Sequence, residues 1–103
     1  MSGWVDVSNA DDVEREDVIR IDYEGRTFAI YRTGDDRYYA TDGLCTHGQV
    51  HLAGGLVMGQ IIECPKHNGR FDFSSGRAMG APACIDLKTY PVKVEEGRIL
   101  IQP

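Results

Sequence analysis

The sequence predicts an all-β domain, a sandwich or barrel of short antiparallel strands. Three observations carry that expectation. β-branched and aromatic residues gather in short runs. Those runs are separated by turns that end in Gly. Across 103 residues, 12 Gly and 4 Pro interrupt the chain, so strand signals dominate and long helices are not expected.

In order along the chain, the acidic segment from Ala10 to Asp17 has room for at most a single helical turn. Val18 to Tyr23 and Thr27 to Tyr31, joined at Glu24-Gly25, read as one hairpin. Tyr38 to Thr41 reads as the next strand. Gln60 to Cys64 and Arg70 to Phe73 read as strands entering and leaving a loop. Thr89 to Val94 and Arg98 to Ile101 alternate with period two around Glu95-Glu96-Gly97, giving a second hairpin. Trp4 reads as a packing anchor for the first strand. No internal repeat or low-complexity tract is present.

At this length the chain is one domain with a modest core and little space for an elaborate active site. Formal net charge is −5. It is unevenly placed: residues 1–36 carry 10 acidic and 4 basic side chains, and residues 37–103 carry 6 and 7. That field opposes nucleic-acid binding, which rests on neutralising phosphates with Lys and Arg. An orienting role toward basic protein partners and a plain solubilising face are equal readings of it. The start, Met1-Ser2-Gly3-Trp4, has no basic segment followed by an apolar run, and no stretch approaches the roughly 20 apolar residues of a membrane span. A cytoplasmic protein without membrane association is expected. With 3 Cys, two of them in metal-ligand spacing, a disulfide framework is not expected.

The chemistry concentrates in Cys45-Thr46-His47 and Cys64-Pro65-Lys66-His67, separated by 16 residues. Each short segment offers one soft thiolate and one borderline imidazole, so two loops brought together would present two sulfurs and two nitrogens to metal. Structural zinc is one reading of such a set. Zinc modules, however, usually group ligands as C-x-x-C and H-x-x-x-H, whereas each loop here mixes the two types. His51 lies four residues beyond His47 but out of register with Cys45, and reads as a polar neighbour of the first loop. Cys84, outside both segments, reads as a small buried hydrophobe. No oriented nucleophile–base pair and no phosphate-binding glycine motif is evident.

The two motifs, with Asn68-Gly69-Arg70-Phe71-Asp72, Ser75-Gly76-Arg77, Pro82 and Lys88-Thr89-Tyr90-Pro91-Val92, resemble the Rieske proteins. The likeness is to the small ferredoxins of aromatic ring-hydroxylating dioxygenase systems, of the biphenyl and naphthalene dioxygenase type. The resemblance implies a Rieske iron–sulfur fold: an antiparallel β-sandwich or barrel base at about residues 1–41 and 81–103, bearing a small cluster-binding subdomain at about 42–80. It implies one [2Fe–2S] cluster, with Cys45 and Cys64 on one iron and His47 and His67 on the other. Gly48, Pro65, Lys66, Gly69 and Pro82 are the expected neighbours of the cluster or the docking surface. Gly43, Gly48 and Gly69 are expected to let backbone N–H groups approach the sulfides.

Replacing two thiolates by imidazoles makes the site less negative and raises its potential from about −400 mV into a window of about −150 to +300 mV. In the high-potential members of the family a Ser and a Tyr follow the second His by two and four residues. Here those positions are Gly69 and Phe71, without side-chain donors. The positions of the disulfide that staples the loops in those members are Val50 and Lys66. A potential near the bottom of the window, about −150 mV, is therefore expected. The implied role is single-electron transfer, without substrate turnover by this chain. The implied partners are a flavin-dependent NAD(P)H ferredoxin reductase and a terminal Rieske non-heme iron oxygenase, the chain itself being a monomer. A small Rieske subunit of an assimilatory nitrite reductase is the second reading, and a structural zinc module the third.

Overall fold

The computed structural model describes residues 3–46, 49–66, 68–80 and 85–103, and among these it forms eleven strands in three antiparallel sheets. In the first, β1 (Val5–Asn9) and β10 (Val92–Glu95) flank β11 (Arg98–Ile101). The second has the order β2 (Asp17–Tyr23), β3 (Arg26–Arg32), β4 (Tyr38–Asp42), β9 (Thr89–Tyr90). The third is a meander of β5 (Leu56–Met58), β6 (Ile61–Glu63), β7 (Arg70–Asp72) and β8 (Arg77–Ala78).

Both expected hairpins form, and by the same device. Tyr23 pairs with Arg26 across Glu24 (φ 49°) and Gly25 (φ 76°). Glu95 pairs with Arg98 across Glu96 (φ 50°) and Gly97 (φ 75°). Two consecutive left-handed residues twist the turn in the sense that the strands themselves twist, which keeps the ladder intact.

β3 organises the interior. Its period-two alternation sends Phe28 and Ile30 into a core with Tyr90, Ile99 and Ile101, and sends Ala29 and Tyr31 into a second core with Ile62, Phe71 and Phe73. All four β3 residues are fully buried. In the third sheet the register Val57–Ile62–Phe71 places one buried row on a single face. That row closes the second core.

The expected strand from Thr89 to Val94 is divided. Tyr90 pairs with Ala40 in one sheet, whereas Val92 pairs with Ile101 in another. Pro91 stands between them. Lacking an N–H and fixed in φ, it cannot continue a ladder, and the chain crosses between sheets there. The acidic segment holds one 3-10 turn, Ala10–Asp12, as expected. A second 3-10 turn, Leu52–Gly54, leads into β5. Among the described residues no helix is long and apolar enough to cross a membrane.

Candidate metal centre

Cys45 and Cys64 stand at matching positions in two loops. After β4 the Gly43 N–H donates to the Thr27 carbonyl at 2.9 Å, so the chain leaves the sheet still fastened to β3. Leu44 and His51 form an antiparallel bridge, and the Leu52 N–H returns to the Gly43 carbonyl at 2.8 Å. Residues 43–45 and 50–52 thus pair back on one another. Within it the Cys45 N–H donates to the Val50 carbonyl at 2.9 Å. In the second loop, which leads from β6 into β7, the Cys64 N–H donates to the Gly69 carbonyl at 2.7 Å. Both loops are therefore closed by a bond from the Cys to the carbonyl five residues on. Asn68, at φ 57°, makes the left-handed bend in the second, a conformation Asn tolerates better than most residues.

The two thiols meet. Both are free and almost completely buried, 4% and 1% exposed, and near enough to act on each other's titration. Burial pushes the Cys64 thiol up. The Lys66 backbone N–H, donating to the same sulfur, works against that, while the neighbouring Cys45 raises it further. Side by side and out of water, two thiols are stable as neutral groups and costly as two anions. A metal cation reverses that preference by neutralising both and deprotonating each as it binds. This donor pair fits the two-cysteine end of a [2Fe–2S] cluster.

Beneath the thiols lies Tyr31, stacked on Phe73 with ring centroids 4.3 Å apart. Its hydroxyl lies 2.8 Å from the Thr41 Oγ1, which donates onward to the Asp42 carbonyl at 2.8 Å. Tyr31 is accordingly the donor to Thr41. Burial, first, and the nearby Cys45, after it, push this phenol far above its usual range. Phe71 is fully buried and brings no hydroxyl. The Thr46 Oγ1 donates to the Ile85 carbonyl at 2.6 Å, tying the first loop to the segment that precedes β9.

The expected site residues divide into three groups. Cys45 and Cys64 come together. Pro65 and Lys66 are exposed in the second loop, and Gly69 is buried there with its carbonyl closing the loop. His47, His67, Gly48, Pro82 and Cys84 lie outside the described residues. Gly43 has a different reason from the one expected: a Cβ at this position would lie 2.4 Å from the His51 Nε2, so the residue makes room for an imidazole and not for a sulfide. Sequence reasoning also missed Thr46, the Tyr31–Thr41 pair and Gly55, whose Cβ would lie 2.2 Å from the Glu63 carbonyl. These depend on tertiary contacts, and the sequence carries no local signal for them.

Comparison with known proteins agrees with the geometry. The family described as Rieske [2Fe-2S] domain matches residues 3–91. The ferredoxin component of the naphthalene 1,2-dioxygenase system of Pseudomonas aeruginosa is 43% identical over 95% of this chain and 93% of that protein. The ferredoxin component of the naphthalene 1,2-dioxygenase/salicylate 5-hydroxylase systems of Ralstonia sp is 41% identical over 96% of this chain and 94% of that protein. A chain in the solved complex of reduced oxygenase and oxidized ferredoxin in carbazole 1,9a-dioxygenase superposes with a TM-score of 0.89 at 34% identity, covering 98% of this chain and 94% of that one. With adjoining buried thiols on two loops closed alike, an antiparallel β architecture shared with that solved structure, and a family match across most of its length, this chain belongs to the Rieske [2Fe-2S] family.

Proposed function

We propose that this chain is the ferredoxin component of an aromatic-ring dioxygenase system, taking single electrons from a flavin-dependent NAD(P)H reductase and delivering them to a terminal Rieske non-heme iron oxygenase. The observation that carries the reading is the pair of buried, adjoining thiols at equivalent positions of two loops. In this assignment Cys45 and Cys64 hold the inner iron, and His47 and His67 hold the outer one. When bound, the cluster supplies a reversible one-electron site. The Lys66 amide donates to the Cys64 sulfur and favours added negative charge there. Phe71 withholds a hydroxyl, and Tyr31 spends its own on Thr41. The potential stays low.

Residues 42–80 form the cluster-bearing subdomain in this reading, and about 1–41 and 81–103 the base. Docking uses the end that carries the loops, where Leu44 (37% exposed), Ile85 (62% exposed), Pro65 and Lys66 surround the ligands. Such electron-transfer encounters are small and short-lived. The chain acts as a cytoplasmic monomer.

The test is a visible and EPR spectrum of the purified protein with iron and acid-labile sulfide analysis. A red-brown protein with two irons, two sulfides and a rhombic signal on reduction is expected, and His67→Ala is expected to abolish it. One metal ion without sulfide would establish a zinc module instead. Co-purification with a siroheme subunit would move the chain to a nitrite reductase.

A further inference from the structure

His51 is a half-buried imidazole that the proposed ligand set does not use, and every part of it is engaged. Its Nδ1 accepts the Ala53 N–H at 3.0 Å, capping the 3-10 turn Leu52–Gly54. That fixes Nδ1 as the bare nitrogen and puts the proton on Nε2. The Nε2 lies 2.9 Å from the Thr27 Oγ1. Thr27 faces Asp22, its cross-strand partner, and helps hold that carboxylate below its ordinary value. The imidazole is therefore the donor to the Thr27 hydroxyl. The ring fills the place where Gly43 has no Cβ, and the His51 backbone bridges Leu44, next to Cys45.

We propose that His51, as its neutral Nε2–H tautomer, is a positioning residue that clasps the first cysteine loop to β3, and that protonation at Nδ1 releases the clasp. The cation loses its cap: the Ala53 N–H then faces an N–H in place of a lone pair, and the turn that sets the distance from the first loop to β5 is left without its acceptor. Two charged groups face the ring, both from β2, namely Arg20 and Asp22, which pair with each other at 3.1 Å. Thr27 from β3, Gly43 from the loop and Ala53 from the turn bring no charge. Burial, first, and Arg20, second, hold the imidazole below its ordinary value, with Asp22 opposing.

The sign follows from that direction. The folded state prefers the neutral ring, so the clasp is fully effective above about pH 6.5 and is lost as pH falls through the lower folded value. The description of the loop as a ligand loop rests on the proposed function; the tautomer and the pH dependence do not.

The experiment uses the cluster-loaded protein, with iron and sulfide assayed first. Absence of labile sulfide would overturn the proposed function and leave the clasp to be decided by the ring NMR alone, which needs no cluster. 15N NMR of the His51 ring should show a protonated Nε2 and a bare Nδ1 at pH 7.5; the opposite tautomer, or titration at or above pH 6.5, overturns the proposal. Bleaching of the visible band in a stopped-flow drop to acid should accelerate about tenfold per pH unit through the part of the range where the ring gains its proton. His51→Asn keeps a capping acceptor but does not titrate, and should flatten that segment. Thr27→Val, which leaves His51 in place without the acceptor that the cation uses most strongly, should move the segment to lower pH. Equal steepness in wild type and His51→Asn would sink the idea.

Discussion

The two cores on either side of β3 are built from different materials. On the base side Phe28 and Ile30 meet Tyr90, Ile99 and Ile101, and the polar atoms nearby are satisfied at the rim, where the Tyr90 hydroxyl donates to Asp42 at 2.5 Å and accepts from Arg26 at 2.9 Å. On the other side the same strand's Ala29 and Tyr31 meet two thiols, a buried Tyr–Thr hydroxyl pair and glycines pressed against carbonyl oxygens. The first core is completed by hydrocarbon alone. The second ends in two free thiols, whose protons a bound metal would displace. Folding of the base should therefore survive loss of the cofactor better than folding of the loops.

The comparison breaks most decisively at the sulfurs. Cys64→Ser is expected to eliminate cluster incorporation altogether, with the visible bands absent, while hydrogen exchange in β2, β3 and β11 stays protected. Global loss of protection would show that the base depends on the metal after all. Phe28→Ala tests the opposite side. It removes a fully buried ring in edge contact with Tyr90 (centroids 5.1 Å apart) and under the Arg26 guanidinium. A loss of about 3–5 kcal/mol in urea unfolding is expected, with the cluster spectrum unchanged at low denaturant.

Gly43→Ala probes the seam between the regions. Its methyl group would press into the His51 ring, and a loss of about 1–3 kcal/mol in the same unfolding measurement is expected from overpacking. Phe71→Tyr sharpens the electronic side. The wild-type midpoint is expected near −150 mV, and a value above about +100 mV would refute the low-potential reading. If the new hydroxyl reaches sulfur, a hydrogen bond of about 1 kcal/mol raises the midpoint by about 40 mV in film voltammetry. The smallest effect lies at the margin of the base, where Asp36 accepts from Arg15 and Arg32 and those guanidinium groups hold its carboxyl down at about 2. Because the folded value is depressed, that contribution is complete above about pH 3.8 and lost as pH falls through the folded value. Asp36→Asn should lower the melting temperature slightly at pH 7 and flatten a shallow part of the acid limb, the two proteins converging once pH has fallen below the folded value.

Much of the fold could be read from residue order because its signals are local. Val18 to Tyr23 and Thr27 to Tyr31 alternate correctly and meet at Glu24-Gly25, and the C-terminal hairpin repeats the pattern. β5 and β8, of three and two residues, are too short to display a period, and the division at Pro91 depends on which sheet each half can reach. For the site, mixed Cys and His spacing pointed to Cys45 and Cys64, two thiols that the fold buries side by side. Gly43 was misread because its constraint comes from His51, eight positions away in sequence and in van der Waals conflict only after folding.

The identical closure of both loops has a consequence for what lengths the chain can bear. An insertion anywhere between Cys45 and Val50, or between Cys64 and Gly69, would slide the amide off its carbonyl and disengage a sulfur from its neighbour. The exposed bend at Gly59-Gln60 closes a short hairpin, and its Gln60 carbonyl also accepts from the Phe73 N–H at 2.9 Å, so an affinity tag or a fluorescent label grafted ahead of Gly59, leaving Gln60 in place, should be accommodated without disturbing the redox end.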